Sequence, residues 1–453
     1  MTIGNAATTP TLVIIGNGVA GITAARTARR LDPQLRIQIV SDESDFFYSR
    51  TALMYIYMGH MRLQDTEPYE RAFYAQNRLE LVRARVEQID TAGKRLKLAG
   101  GSEFRYDYLL IATGALPNRF GWPGQDLKRV QGLYGLNDLE SLEEATQDGA
   151  VKQAVIVGGG LIGIELAEML HTRGIHVTFL VREENYWDNV LPREEAMLIN
   201  EEIREHGMEL RLKSNLKEIL DDGAGGARAV TVAETGEMIP CQLVGLTAGV
   251  SPNTGVVQNS GIQVGRGVLV DRRLRTNIDN VFAAGDCAEL RNPGEERGTV
   301  EQLWYTGRMQ GEVAGMQIAR LSRAERGHSL PDTPYDRGIW FNSAKFLTVE
   351  YQTYGFVPRV PEPERTHVWI DEKRRRLIRL VWETNGPDTR VTGFNLFNVR
   401  YRQEICAAWI REERPVDYVL KHLERANFDP EFFNRPERAF RRDYKNRRGM
   451  VPA

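Results

Sequence analysis

Residues 11–33 read TLVIIGNGVAGITAARTARRLDP, and this stretch decides the fold. Residues 11–15 are a short, β-branched apolar run, the pattern of a strand buried on both faces in a parallel sheet. Gly16, Gly18 and Gly21 follow in GxGxxG spacing, then a helical stretch that Asp32-Pro33 breaks. Gly16 permits a tight turn, Gly18 clears the Cβ that would keep a pyrophosphate from the backbone, and Gly21 lets helix and strand close up. The unpaired N–H groups at the start of the helix favour a phosphate. Residues 35–40 (LRIQIV) form a second strand. Glu43, beyond that strand, is the acid expected ~20 residues on to hydrogen-bond a ribose.

The same pattern returns at residues 154–181. A buried strand (AVIV) leads into Gly158, Gly160 and Gly163, a helix, a turn at Gly174 and the strand HVTFLV. Two copies of one unit predict two dinucleotide folds. The second copy ends differently, in Arg182-Glu183. Arg182 suits the 2′-phosphate of NADPH, while Glu183 suits the ribose hydroxyls of NADH; both readings stay open.

Elsewhere the chain predicts a small antiparallel element over 81–111, a turn at 223–226 and strands at 242–248 and 281–284. Helical spacing covers 301–321. From about residue 331 the strands turn aromatic-rich, with Trp340, Phe341, Tyr351 and Tyr354 filling an antiparallel sheet. Helices follow near 400–411 and 416–426. The expected class is α/β: two Rossmann-like dinucleotide-binding domains, one inserted in the other, and a C-terminal α+β domain. The boundaries fall at 1–120, 121–245, 246–328 and 329–453, the first and third parts forming one domain.

Apolar residues make up 42% and charged residues 26% of the 453, with a formal net charge of -2. This balance points away from nucleic acid as a partner. No apolar run spans a bilayer, and the opening MTIGNAATTP lacks a signal-peptide pattern, so a cytoplasmic setting is expected. Cys241, Cys287 and Cys406 form no CxxC pair and no metal-ligand spacing. Residues 435–448 carry seven Lys/Arg against two acids. This basic tail is read first as a solvated run and second as a dock for an acidic carrier.

Residues 106–117 (YDYLLIATGALP), 280–288 (NVFAAGDCA) and 41–53 (SDESDFFYSRTAL) resemble hallmark segments of the pyridine nucleotide-disulfide oxidoreductase superfamily. The third is most similar to its ferredoxin reductase, rubredoxin reductase and nitrite-reductase-subunit branch. The resemblance implies FAD held by Gly16, Gly18, Gly21 and Glu43, with Arg50, Thr113 and Gly114 beside it. Gly285 admits its pyrophosphate and Asp286 its ribityl chain. Gln302 and Leu303 lead the helix whose start faces the ring. It implies NAD(P)H on Gly158, Gly160 and Gly163, with Arg182 and Glu183 setting its identity and Glu165 near the nicotinamide. The resemblance also implies a homodimer through the third domain.

The disulfide branches need a CxxxxC pair or an early cysteine, and residues 1–240 contain none. Electrons are therefore expected to pass from NAD(P)H through FAD to a redox protein of the rubredoxin or ferredoxin type, or to a partner subunit. Alternatives are a small acceptor such as quinone or oxygen, and a redox-sensing scaffold that binds through the basic tail.

Overall fold

The computed structural model describes residues 9–292, 298–385, 388–429, 431 and 435–448. Most of the opening segment weighed above as a signal sequence, residues 1–8, lies outside the described residues. The chain divides into two compact units: Met1–Asn118 with Gly132–Asp148 and Gly249–Arg337, and Arg119–Gln131 with Gly149–Ala248 and Gly338–Ala453.

The first unit is built on a five-stranded parallel sheet. Its order is Val281–Ala283, Tyr108–Ile111, Thr11–Ile15, Arg36–Ser41, Leu79–Arg83. Leu12, Val13 and Ile14 are fully buried, as the unbroken apolar run requires of a central strand. The helix Val19–Leu31 stops where Asp32 closes its backbone N–H on Ala28 and Pro33 removes the next donor. Asp32 is itself buried and accepts hydrogen bonds from Ser322 and Arg326, which ties the end of this helix to the last turns of Trp304–Ala324. Those two helices meet along a seam of glycines. A Cβ at Gly311 would stand 2.3 Å from the Ala20 carbonyl oxygen, and one at Gly315 would stand 2.5 Å from that of Ala24. The expected antiparallel element is present as Val86–Asp90, Arg95–Leu98 and Glu103–Arg105. A two-stranded ribbon, Ala115–Pro117 with Val250–Pro252, marks where the chain leaves this unit and returns.

The second unit holds two five-stranded sheets and a smaller three-stranded one. One is parallel, in the order Glu209–Leu212, His176–Val181, Gln153–Val157, Leu243–Leu246, Val130–Gln131. The strands Leu216–Asp221 and Ala227–Val232 flank the expected glycine turn, with Met238–Pro240 as a third partner. The other is the antiparallel C-terminal sheet, in the order Phe341–Phe346, Val349–Gly355, Asp388–Phe397, Arg376–Asn385, Thr366–Asp371. Tyr351 and Tyr354 are buried, and Tyr351 lies against Trp187 and Phe397.

The helix Arg193–Glu205 links the two sheets through charge. Arg379, 1% exposed, donates from Nε to Glu195 Oε1 at 2.6 Å, and from Nη2 to Glu195 Oε2 at 2.9 Å and Glu194 Oε2 at 2.8 Å. Asn395 Nδ2 also donates to Glu195, at 3.2 Å. Further along, buried Glu202 pairs with Arg375 and accepts from the Thr348 N–H.

Three boundaries differ from expectation. Residues 301–303 lie ahead of the helix, which runs Trp304–Ala324, because the buried Glu301 side chain turns inward. The helix expected from Arg400 starts at Gln403, since Tyr401 bridges Asn427 and the Arg402 N–H bonds the Ala426 carbonyl. The basic tail is a helix, Pro436–Arg447, whose Phe440 and Tyr444 are seated in the C-terminal core. Val416, Val419, Leu420 and Leu423 fill that same core, so this segment packs within its own unit. Among the described residues, no helix is long and apolar enough to cross a membrane.

Candidate functional site

The first glycine loop shows three separate constraints. Gly16 has φ +111°, and a Cβ there would stand 2.1 Å from the Ala112 carbonyl oxygen. At Gly21 a Cβ would meet the Gly16 carbonyl at 2.1 Å. Around Gly18 a Cβ would find nothing within 4 Å among the described residues. The first two glycines are therefore required by the protein itself, whereas Gly18 faces open space at a helix start, the setting a phosphate needs. Between Gly16 and Gly18, Asn17 is 8% exposed and its Oδ1 has no partner among the described residues. Asn17 also lines a cavity of about 300 Å³ with Ile39, Ser41, Phe46, Val82 and Arg83. Its apolar walls and polar rim suit a flat heterocycle with a sugar attached. Loop, orphan acceptor and cavity fit the adenosine end of a dinucleotide.

Glu43 lies where the spacing placed it, but its carboxylate is held by the protein. Arg50 reaches it in a fork, Nη1 to Oε1 at 2.8 Å and Nη2 to Oε2 at 2.6 Å. The Tyr48 hydroxyl donates to Oε1 at 2.6 Å and the Leu136 N–H at 2.9 Å. Burial opposes the Glu43 charge, yet the Arg50 hydrogen bonds and charge bring its carboxyl down to about 2. Arg50 also donates to the Tyr134 carbonyl at 2.8 Å and lies 4.7 Å from the centre of the Tyr134 ring.

Tyr134 carries the network onward. Its hydroxyl donates to Asp286 Oδ2 at 3.0 Å and accepts from the Ala115 N–H at 2.9 Å. A Cβ on Gly114 would stand 2.8 Å from that hydroxyl. Thr113 Oγ1 donates to the Asn253 carbonyl at 2.6 Å. Burial raises the Asp286 carboxyl above its ordinary range, against the Tyr134 hydrogen bond and the Arg50 charge. Glu43, Arg50, Thr113, Gly114 and Asp286, spread over about half of the chain, thus meet around Tyr134 and its neighbours. No spacing rule marks Tyr134 or Asn17. The pair of glycines enclosing Asn17 was the one signal that could have found it.

Gly285 has φ +80° and its N–H donates to Gln310 Oε1 at 2.8 Å. Leu303 caps the helix Trp304–Ala324, whose first turn holds no acid. Among the described residues, Gln302 Nε2 is buried without a hydrogen-bond partner.

The second loop repeats the geometry of the first. Gly158 has φ +127°, with a Cβ 2.6 Å from the Thr247 carbonyl oxygen. Gly163 is closed in by Thr247 Oγ1 and the Tyr186 hydroxyl, while Gly160 again faces open space. Tyr186, fully buried, donates to the Gly160 carbonyl at 2.8 Å. Arg182 and Glu183 pair with each other, Nη2 to Oε1 at 2.9 Å. The Arg182 side chain is 75% exposed and that of Glu183 23%.

Glu165 is half-buried on the helix Leu161–Thr172. Burial first, then the Glu168 carboxylate, raises its carboxyl to about 8. Such a group holds its proton at neutral pH. Its contribution to stability is full below the ordinary carboxylate range and is lost as pH rises through 8. The melting temperature of Glu165→Gln is therefore expected to gain on the parent by a few degrees between pH 6 and 9. Parallel melting curves across that range check it, and a constant difference contradicts the assignment.

Cys241, Cys287 and Cys406 are each buried and unbridged. Burial pushes the Cys241 thiol up to about 12 and raises the other two as well.

The family model for pyridine nucleotide-disulphide oxidoreductases matches residues 10–311. The chain is 33% identical over 307 residues to the ferredoxin–NAD(+) reductase component of the biphenyl dioxygenase system of Paraburkholderia xenovorans, covering 67% of this chain and 73% of that protein. It is 27% identical over 386 residues to the epsilon subunit of the NADH-dependent phenylglyoxylate dehydrogenase of Aromatoleum evansii, covering 85% and 88%. In fold it is similar to an NAD-dependent persulfide reductase from A. fulgidus, with a TM-score of 0.80, 22% identity and coverage of 97% and 84%. The chain belongs to the pyridine nucleotide-disulphide oxidoreductase family and is an FAD-dependent NAD(P)H oxidoreductase.

Proposed function

We propose that this oxidoreductase delivers electrons from NAD(P)H to a one-electron protein acceptor of the ferredoxin or rubredoxin type, or to a partner subunit, without a thiol relay. The observation that carries this reading is the burial of all three cysteines as separate, protonated thiols. The relatives support it: one is a ferredoxin–NAD(+) reductase component, and another is a subunit of a larger dehydrogenase that matches the chain into its C-terminal sheet.

In this reading residues 1–120 and 246–328 hold FAD together with residues 132–148, which pack in the same unit, and the remainder of 121–245 holds the nicotinamide nucleotide. Gly16, Gly18 and Gly21 cradle the FAD phosphates, and the cavity beside Asn17 takes its adenosine. Arg50 fixes Glu43 at the loop, and Tyr134 orients Asp286 toward the ribityl chain. Thr113, Gly114 and Gly285 shape the surrounding backbone, while Gln302 and Leu303 lead the helix that faces the ring. Gly158, Gly160 and Gly163 cradle the second nucleotide, and Glu165 supplies a neutral acid beside it. Bound FAD supplies the conversion of a two-electron donor into one-electron steps.

Anaerobic stopped-flow mixing tests the acceptor. With NADH or NADPH the visible flavin band is expected to bleach within seconds. Its return is expected to be slow in air and fast on adding a ferredoxin or rubredoxin. Rapid return with oxygen or a quinone, and none with the proteins, would reject the protein acceptor. The Arg182–Glu183 pair makes a second prediction. Arg182→Ala frees Glu183 for a ribose and shifts kcat/KM toward NADH by roughly tenfold, about 1.4 kcal/mol. An unaltered preference removes Arg182 from the site.

A further inference from the structure

A buried polar chain lies behind the helix start at Trp304, within the first unit. Glu301 is 3% exposed. Its Oε2 accepts from the Tyr335 hydroxyl at 2.5 Å and from Gln310 Nε2 at 3.4 Å, and its Oε1 accepts from Arg337 Nη1 at 2.9 Å. Gln310, 1% exposed, uses its other end to accept the Gly285 N–H at 2.8 Å. One carboxylate thus reaches, through a single glutamine, the left-handed glycine that precedes Asp286. Glu301 is also bonded in sequence to Gln302, whose Nε2 is buried and has no hydrogen-bond partner among the described residues. The Thr306 hydroxyl donates to the Glu301 carbonyl at 3.0 Å, which fastens residues 301–303 to the first turn of the helix.

A buried carboxylate taking three donors is costly unless each donor is held in place, so such a network fixes the backbone around it. Here that backbone is the Gly285–Asp286 turn on one side and Gln302–Leu303 on the other. An unpaired buried amide N–H2 is a group waiting for an acceptor, since leaving it unsatisfied costs about 1–3 kcal/mol. We propose that Glu301 is a positioning residue that sets the Gln302 side-chain amide, together with the Gly285–Asp286 turn, against the FAD ring edge, and so tunes the flavin potential. This rests on the reading of the first unit as the FAD site. Glu301 acts through Gln302 and Gln310 and is assigned no contact with the cofactor.

The test measures the midpoint potential of the bound flavin by spectroscopic titration, alongside the FAD dissociation constant, in Glu301→Gln, Gln302→Ala and the double variant. Removing a donor that favours the reduced ring is expected to weaken binding of reduced over oxidised flavin by roughly tenfold in Gln302→Ala. For a two-electron couple that is about 30 mV more negative. Glu301→Gln is expected to move the potential the same way, and the double variant no further than the larger single change, because both remove one interaction. Unchanged potentials in a folded Glu301→Gln, or strictly additive shifts, overturn the proposal. If Glu301→Gln does not fold, Tyr335→Phe decides, since it deletes one donor and no charge: a shift in potential of the same sign supports the proposal and no shift rejects it. A parent protein that binds no FAD would instead refute the underlying site assignment, and its visible spectrum shows this before any variant is made.

Discussion

Gly18→Leu is expected to give a folded protein that has lost its FAD, whereas Gly16→Ala gives little folded protein at all. The two glycines lie two residues apart in one loop, and their surroundings explain the contrast. Gly18 has φ −83° and ψ −175°, extended backbone that any residue adopts, and a Cβ there meets nothing within 4 Å. Leucine therefore costs the apoprotein little. It fills the space that the phosphate reading reserves for ligand, at the point where unpaired helix N–H groups face outward. A loss of affinity of roughly 100-fold, about 2.8 kcal/mol, is the expected outcome. Gly16 combines φ +111° with a Cβ position 2.1 Å from a backbone oxygen, and a backbone atom cannot swing aside as a flexible side chain can. The ratio of visible to ultraviolet absorbance and a melting curve separate the outcomes. A Gly18→Leu protein that retains FAD would show that this loop is not the cradle. The same contrast holds between Gly160 and Gly158 and is read by NAD(P)H titration.

Arg379→Met is expected to destabilise the second unit by about 3–5 kcal/mol, because it strands Glu195 as an unpaired charge that is 0% exposed. The Arg379 guanidinium loses solvation on burial, but its bonds to Glu195 and the nearby Glu194 charge outweigh that loss and raise its pKa. Deleting the arginine leaves only the Asn395 amide to offset the solvation loss of Glu195. On a domain of this size the melting temperature falls by roughly 10 °C. Pairing Arg379→Leu with Glu195→Leu is expected to recover part of the loss, since apolar side chains replace a buried pair at little cost. Recovery is incomplete because Asn395 Nδ2 then loses its acceptor. Equal melting temperatures for Arg379→Met and the parent would show that the Arg379–Glu195 pair carries no stability.

Much of this architecture is legible from residue order alone. Both glycine loops declare themselves because strand, turn and helix each leave a local signature, and φ +111° at Gly16 and +127° at Gly158 meet the expectation of the GxGxxG pattern. The cores were legible too, since an apolar run such as residues 11–15 has one way to be buried. What spacing does not reveal is pairing across the chain. Glu43 lies at the expected distance, but nothing in a ribose rule foretells that Arg50 would fork onto it. Tyr134 meets Asp286 from 152 residues away, and Arg379 meets Glu195 from 184. These contacts depend on tertiary packing, which local patterns do not encode. The basic tail shows the same limit: its Lys and Arg side chains are mostly exposed, as a charged run suggests, but charge alone does not reveal that Phe440 and Tyr444 seat the helix in an existing core.

The glycine seam between Val19–Leu31 and Trp304–Ala324 has a consequence for how such a protein changes over time. The spacing of these two helices is set by the absence of side chains at Gly311 and Gly315, so no smaller residue exists to bring them closer. A change in the other direction begins with a whole methyl group pressed on the carbonyls of Ala20 and Ala24. The seam behaves as a gauge block at its lower limit: the two helix starts keep one separation or lose their register together. Variation in cofactor tuning is then left to groups that act without moving the helices, such as the side chains at 301, 302 and 310.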